Sequence, residues 1–217
     1  MTNDLTQIVA LSLQVSGAAI FISALVGIPL GAWLGLAQFP LRRIAIALIY
    51  TGMGLPPVVV GLAVYLLLSQ QGPLGTLGWL FTPNAMISAQ TIIALPLVAG
   101  LTMTALLSID PELRPQLITL GATRLQATWT LLNQARGAVI IALVAGFGAI
   151  ISEVGAVMLV GGNIAGSTRV LTTAIVLETR QGDFDRAIVL GVILLTITFV
   201  INLAVALTQG AWLRARS

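Results

Sequence analysis

Five long apolar runs dominate the chain, at about 7 to 36, 44 to 69, 85 to 108, 137 to 160 and 187 to 208. A hydrocarbon layer needs about 20 apolar residues per helical crossing, so each run can span it with some tilt. Polar residues do not alternate with apolar ones inside the runs, and lipid cannot satisfy open backbone groups. The pattern therefore predicts helices rather than barrel strands. The expected fold is an all-α integral membrane protein of about five transmembrane helices, one membrane domain over residues 1–217. Loops are short except for an excursion at about 109 to 136.

That excursion is longer than a turn between two spans requires. Asp110, Pro111 and Glu112 supply an N-cap oxygen, a pre-set φ and an acid at the positive end of a helix dipole. Pro115, which lacks an amide proton and disfavours helical angles at Arg114, moves a regular start to Pro115 itself. A second start follows at Thr123 to Gln126, spaced as a capping box, with Gly121 as the break before it. Leu113, Leu117, Leu120, Leu125, Trp129 and Leu132 recur at helical intervals, and Arg114, Gln116, Arg124, Gln126 and Gln134 take other positions. This predicts helix, bend, helix, with one amphipathic face directed at lipid headgroups or at a docking partner.

Charge sets the orientation. Arg42 and Arg43 lie in the first connection, Arg114, Arg124 and Arg136 in the third, and Arg214 and Arg216 in the tail. The opposite side holds Asp4, an uncharged loop at about 70 to 84, and a connection at 161 to 186 in which Arg169, Arg180 and Arg186 are balanced by Glu178, Asp183 and Asp185. The positive-inside rule then gives an outside amino terminus and a cytoplasmic carboxy terminus. Asp4, with no basic residue before the first run, and the length of that run predict a retained first helix rather than a signal peptide. Trp33, Trp79 and Trp212 fall near span ends, as interface anchors do.

Composition narrows the chemistry. Of the residues 58% are hydrophobic and 8% charged, with a mean hydropathy of +1.04, against roughly a quarter charged in soluble domains. The chain has no cysteine and no histidine, which removes disulfides, thiolate or imidazole metal sites and most enzyme constellations. No bound cofactor or metal is expected. The net charge of +3 comes from ten arginines without a lysine and reads as orientation, not as nucleic-acid binding.

Within the runs, Pro56 and Pro57, flanked by Gly52, Gly54 and Gly61, predict a kink in the second span, and Pro96 one in the third. Packing is the first explanation of such prolines, above all for Pro96; a kink beside a water-lined path, where freed carbonyls find partners, is the other. Glu153 is the one acid well inside a predicted span, about 24 Å along a helix that begins near Gly137, and it should not face lipid. The expected role is a hydrogen-bonded bracket that holds helices or gate segments. Gly146, Gly148 and Gly155, with Ala145, Ala149 and Ala156, form a small-residue face that admits close packing. Thr102, Ser152 and Asn163 offer neutral donors to a passing anion. Val170 to Leu177 is apolar within a polar connection and predicts a re-entrant gate helix. Arg169 reads as an anion attractor, a docking residue or a solvated surface arginine.

Ser108-Ile-Asp-Pro-Glu-Leu followed by Leu120-Gly121-Ala122 resembles the cytoplasmic coupling loop of binding-protein-dependent ABC importer permeases. Counted from Gly121, the family's Glu-Ala-Ala falls on Pro115, Gln116 and Leu117, and its later Ile-x-Leu-Pro on Leu131 to Gln134, so only the glycine and a hydrophobic position match. Gly54-Leu-Pro-Pro-Val-Val-Val-Gly61, Ala94-Leu-Pro96 and Ile151-Ser-Glu-Val-Gly-Ala156 occur in family order. Val160-Gly-Gly-Asn-Ile-Ala-Gly166, Thr168-Arg169, Leu171-Thr-Thr-Ala-Ile175 and Gly182-Asp183 are similar to oxyanion importers, most of all the tungstate permease branch, near molybdate permeases. The resemblance implies a MetI-like permease fold in the prokaryotic inner membrane, working as a pair of identical subunits in lipid. A cytoplasmic ABC ATPase dimer would carry ATP and magnesium, and an extracytoplasmic substrate-binding protein would deliver the ion. It implies coupling through Glu112, Leu117, Leu120, Gly121, Ala122 and Arg124. The path or gate falls to Pro56, Pro57, Pro96, Thr102, Ser152, Glu153, Gly155 and Asn163.

No Gly-x-x-x-x-Gly-Lys-Ser/Thr loop exists, so ATP would be hydrolysed on another subunit. The alternative is an ATP-independent anion channel or secondary transporter, for which neither intramembrane acid pairs nor a carbonyl filter motif is present. An intramembrane serine enzyme would need a base for Ser152.

Overall fold

The computed structural model describes the backbone of residues 2–214 and the side chains of residues 4–207, and every regular element among them is helical. The order is α1 (Thr2–Leu36), α2 (Arg42–Met53), α3 (Pro57–Leu68), a 3-10 turn (Gly75–Leu77), α4 (Pro83–Leu107), α5 (Leu113–Thr119), α6 (Arg124–Gln134), α7 (Arg136–Ile151), α8 (Gly155–Gly161), α9 (Leu171–Gln181) and α10 (Phe184–Arg214). The tail arginine Arg216 and the side chains of Trp212 and Arg214 lie outside the described residues.

Helices α1, α4 and α10 are each long and apolar enough to cross a membrane, and two bent pairs bring the number of crossings to as many as five. The second apolar run is not a kinked helix, as expected, but two helices, α2 and α3, meeting at 100°. The fourth run is also broken. Helix α7 ends at Ile151, three residues turn, and α8 starts at Gly155. Helices α6 and α7 meet at 70°.

The scaffold is the α1–α4 pair. Gly27, Gly31 and Gly35 recur every four residues and so share one face of α1. A Cβ on Gly31 would stand 2.3 Å from the Ala99 carbonyl oxygen and 2.9 Å from Thr102 Cβ, and one on Gly27 3.1 Å from Val98. Bare backbone here lets the helices meet closely, which matters in lipid, where dispersion rather than expulsion of water drives helix association. Ala94, Val98, Ala99, Thr102 and Met103 of α4 are completely buried.

Two sets of contacts define the ends of the bundle. At one end Arg42 donates to the carbonyls of Leu34 (2.9 Å) and Gly35 (3.4 Å), and Arg114 to that of Leu36. Cations thus satisfy the last, otherwise unpaired carbonyls of α1. Leu113 and Leu132 pack here on Ala32, Ala105, Leu106 and Leu131. At the other end Arg186 of α10 pairs with Asp4 of α1 and, at 3.3 Å, with the buried Glu178 of α9. Helix α10 therefore starts at the same end of the bundle as α1.

Two stability experiments follow. Gly31→Ala should lower stability in detergent by roughly 1–3 kcal/mol through overpacking, seen as a fall in melting temperature. Gly17→Ala, with nothing within 4 Å of the new Cβ, should not. Arg186→Gln strands the Glu178 carboxylate and should cost roughly 2–4 kcal/mol, the low side for a buried pair because the arginine is partly exposed. Asp4→Asn, which removes the more exposed partner, should cost clearly less in the same melt.

Candidate functional site

The two breaks face one another. Gly52, Met53, Gly54, Leu55, Pro56, Pro57 and Val60 from the α2–α3 break, Ile93 and Leu97 from α4, and Ala149 and Glu153 from the α7–α8 break enclose a cavity of about 290 Å³. That is several times the share of one liquid water, about 30 Å³. Glu153 is its one titratable lining residue.

Each break solves the backbone problem differently. Between α2 and α3 the Gly54 and Leu55 amides turn back to Thr51 (3.1 Å) and Gly52 (3.3 Å). Pro56 and Pro57 then follow, so the next two positions have no N–H to satisfy, and Pro57 opens α3 where its fixed φ suits a helix start. Between α7 and α8 side chains do the work. Gln90 Nε2 donates to the Ile150 carbonyl at 2.8 Å, the Thr172 hydroxyl to the Glu153 carbonyl at 3.0 Å, and Glu153 Oε1 accepts the Ala156 amide at 2.9 Å. The carboxylate thus caps α8 at the positive end of its dipole.

Glycines set how closely the pieces mate. A Cβ on Gly61 of α3 would lie 2.5 Å from Ala156 Cα of α8, one on Gly155 2.5 Å from Val58, and one on Gly52 2.8 Å from Pro96 Cβ. The small-residue face is therefore partly consumed within the chain. Gly146 packs toward Ile20 and Val98, while Gly148 has nothing within 4 Å of an added Cβ, and Ala145 and Ala149 are exposed.

The expected path residues separate into three places. Pro56, Pro57 and Glu153 line the cavity, with Gly155 one turn away against Val58 and Pro96 buried behind Gly52. Ser152 is exposed at the break, but its hydroxyl donates to the Gly148 carbonyl at 2.8 Å. Thr102 is not at the cavity: it is fully buried against Gly31, its hydroxyl without a partner. Asn163 lies in the loop after α8, with φ of +51°. Gln90 and Thr172 were missed, and a buried glutamine inside the third apolar run was the signal for the first.

The second site is the α5–α6 excursion. Helix α5 begins at Leu113, not at Pro115, because the first four amides of a helix lack intrahelical partners and Pro115 falls among them. Glu112, not Asp110, takes the N-cap position; Asp110 Oδ1 instead accepts the Glu112 amide at 2.9 Å. Gly121 adopts φ of +94° at the bend, and Thr123 and Gln126 form the reciprocal capping box (2.8 and 3.3 Å). The leucine series does not make one face. Leu113, Leu132 and the unforeseen Leu131 turn inward, while Leu120 (85% exposed), Leu125 (79%) and Trp129 (73%) point away from the bundle.

A bundle of apolar helices with two mated breaks around a cavity, and a solvent-directed apolar helix pair at its arginine-rich end, is the architecture of a membrane transport permease. The chain belongs to the family of binding-protein-dependent transport system inner membrane components, whose family model matches residues 27–212. That membership makes it a multi-pass transport subunit of an ABC importer, not an enzyme. It is 44% identical over 203 residues to a probable anion ABC transporter permease protein of Haloferax volcanii, covering 91% of this chain and 88% of that one. It is also 44% identical over 195 residues to the tungstate uptake system permease protein TupB of Peptoclostridium acidaminophilum, covering 90% and 86%. Its fold matches the inward-facing MetNI methionine ABC transporter with a TM-score of 0.78 at 19% identity over 97% of each chain.

The capping geometry yields a graded expectation. Glu153→Ala, which frees the Ala156 amide, should lose about 1 kcal/mol in thermal unfolding, and Glu153→Gln, which keeps an acceptor, should lose less.

Proposed function

We propose that this chain is the permease subunit of an ATP-driven importer of a tetrahedral oxyanion, tungstate first and molybdate next, and that it works by alternating access. The observation that carries the reading is the pairing of an exposed apolar α5–α6 surface at the arginine-rich end with a cavity built from two broken crossings. The first has the form of a docking surface; the second is a place where packed segments can part. The two permeases at 44% identity, one named for anions and one for tungstate, support the ion class.

In this reading the arginine-rich end is cytoplasmic and Asp4 lies outside, following the excess of Arg42, Arg43, Arg114, Arg124 and Arg136. Two copies pair around one path. Two ATPase subunits, which hold ATP and magnesium, receive the α5–α6 segment through Glu112, Leu117, Leu120, Gly121, Ala122 and Arg124, to which Leu125 and Trp129 are added by their exposure. A binding protein delivers the ion to the outer face. Glu153 holds α8 against α7 and does not ligate the ion, since like charges repel. Pro56, Pro57, Pro96 and Gly155 shape the mated breaks. The cycle parts those breaks when ATP-driven closure moves the docking helices.

Tungstate uptake into proteoliposomes containing this chain, its ATPase and its binding protein tests the proposal, with molybdate and sulfate as competitors. Uptake should require all three components and ATP. Trp129→Ala combined with Leu125→Ala should release the ATPase on size exclusion and abolish uptake without changing the melting temperature of the permease. ATP-independent flux through the chain alone would replace the importer with a channel or carrier.

A further inference from the structure

The arginines whose side chains are described are accounted for, with one exception. Arg42 and Arg114 cap α1, Arg186 holds two carboxylates, Arg136 is engaged, and Arg43, Arg124 and Arg180 are exposed to solvent. Arg169 is different. It is half-buried and, like Arg114, has a buried Nε without a partner, but where Arg114 is anchored on the Leu36 carbonyl, the one side-chain hydrogen bond of Arg169 is a 3.5 Å contact from a terminal nitrogen to the Asn163 carbonyl. It forms no ion pair with any carboxylate among the described residues.

Its position is set by a contact with α1. The Leu171 amide, two residues on, donates to Ser12 Oγ at 2.8 Å, and Ser12 lies eight residues into α1 from Asp4, about 12 Å below the outer end. Helix α1, with 35 residues, outruns the hydrocarbon layer, so a level about 12 Å from Asp4 falls toward the headgroup boundary, where a half-buried guanidinium keeps donors free for an acceptor. Its side of the loop is built rigidly. Thr168 Oγ1 donates to the Gly161 carbonyl and accepts the Ile164 amide at 2.9 Å, and the Ile164 carbonyl takes the amides of Ser167, Thr168 and Arg169 at 3.0 to 3.2 Å. Beside Arg169, Asn163 is held in the left-handed region, with φ of +51°. The guanidinium N–H groups and the Asn163 Nδ2 group, carried on one loop, are donors that a tetrahedral oxyanion accepts, with the acceptor Asn163 Oδ1 turned from the ion.

We infer that Arg169, with the Asn163 amide, forms a receiving site for a tetrahedral oxyanion between the outer face and the cavity at the mated breaks. The inference rests on the proposed oxyanion import. Three residues after Arg169, Thr172 holds the Glu153 carbonyl, so the receiving loop is joined to the break it would feed. A cation above a carboxylate-bearing cavity gives the ion a resting place before the region that repels it. The same chemistry would recognise a lipid headgroup phosphate.

The test is uptake kinetics of Arg169→Gln, Arg169→Lys and Asn163→Ala in the complete reconstituted complex, with binding-protein-stimulated ATP hydrolysis measured in parallel. Arg169→Gln should lower tungstate uptake about tenfold or more, the scale of one lost charge-assisted hydrogen bond. The melting temperature and the binding-protein concentration that half-saturates ATP hydrolysis should not change. Arg169→Lys should retain part of the uptake, and Asn163→Ala should show a smaller loss. Unchanged uptake in Arg169→Gln overturns the inference; so does a raised half-saturating concentration, which would make Arg169 a docking residue. A defect seen in phosphatidylglycerol but not in phosphatidylcholine vesicles assigns the arginine to an anionic lipid headgroup, since both lipids carry the phosphate, and also overturns it. If the unsubstituted complex takes up no oxyanion, the importer reading itself fails, and this inference with it.

Discussion

In a bilayer no water is at hand to satisfy a backbone N–H or C=O that loses its helical partner, and this constraint governs everything distinctive in the chain. Two of its crossings are broken, and each break is tolerated for a different physical reason. The α2–α3 break removes the demand, because Pro56 and Pro57 have no amide proton to offer. The α7–α8 break meets the demand with side chains borrowed from other helices: Gln90 from α4, Thr172 from α9 and, locally, Glu153. The carboxylate that looks hazardous at membrane depth is also the acceptor that lets α8 begin.

Because the satisfying groups come from distant helices, the cavity is mechanically linked to the rest of the fold. Helix α9 touches α1 through Ser12 at its start, the α7–α8 break through Thr172, and α10 through the Glu178–Arg186 pair near its end. The glycine face of α1 fixes α4 as the common wall. A displacement of α9 relative to α1 must therefore disturb the partners of the break, and the same holds in reverse. This is a route by which events at the Asp4 end of the bundle and at the cavity are joined through named hydrogen bonds.

The opposite end shows a division of labour that a periodicity argument blurs. Leucines spaced at helical intervals over Leu113 to Leu132 suggest one stripe, but the bend at Gly121 turns α6 relative to α5. Leu113, Leu131 and Leu132 consequently anchor the segment to the bundle, and Leu120, Leu125 and Trp129 remain outside it. The anchoring residues hold the exposed ones in place. A single amphipathic helix lying on lipid would not produce that split.

The sequence by itself determined what depends on local chemistry. Apolar length set the crossings, arginine placement distinguished the two ends, and the Thr123–Gln126 box and Gly121 specified the helical excursion. The proline pair located the first break. These signals are legible because each is complete within a few residues. Only the tertiary structure decided that the kink at Pro56 is a 100° break, that a second break lies at Glu153, and that the two enclose one cavity. It also moved Thr102 into the α1–α4 seam and left Arg169 without a carboxylate. Those outcomes depend on which residues far apart in the chain come within hydrogen-bonding distance, and neither periodicity nor composition encodes that distance.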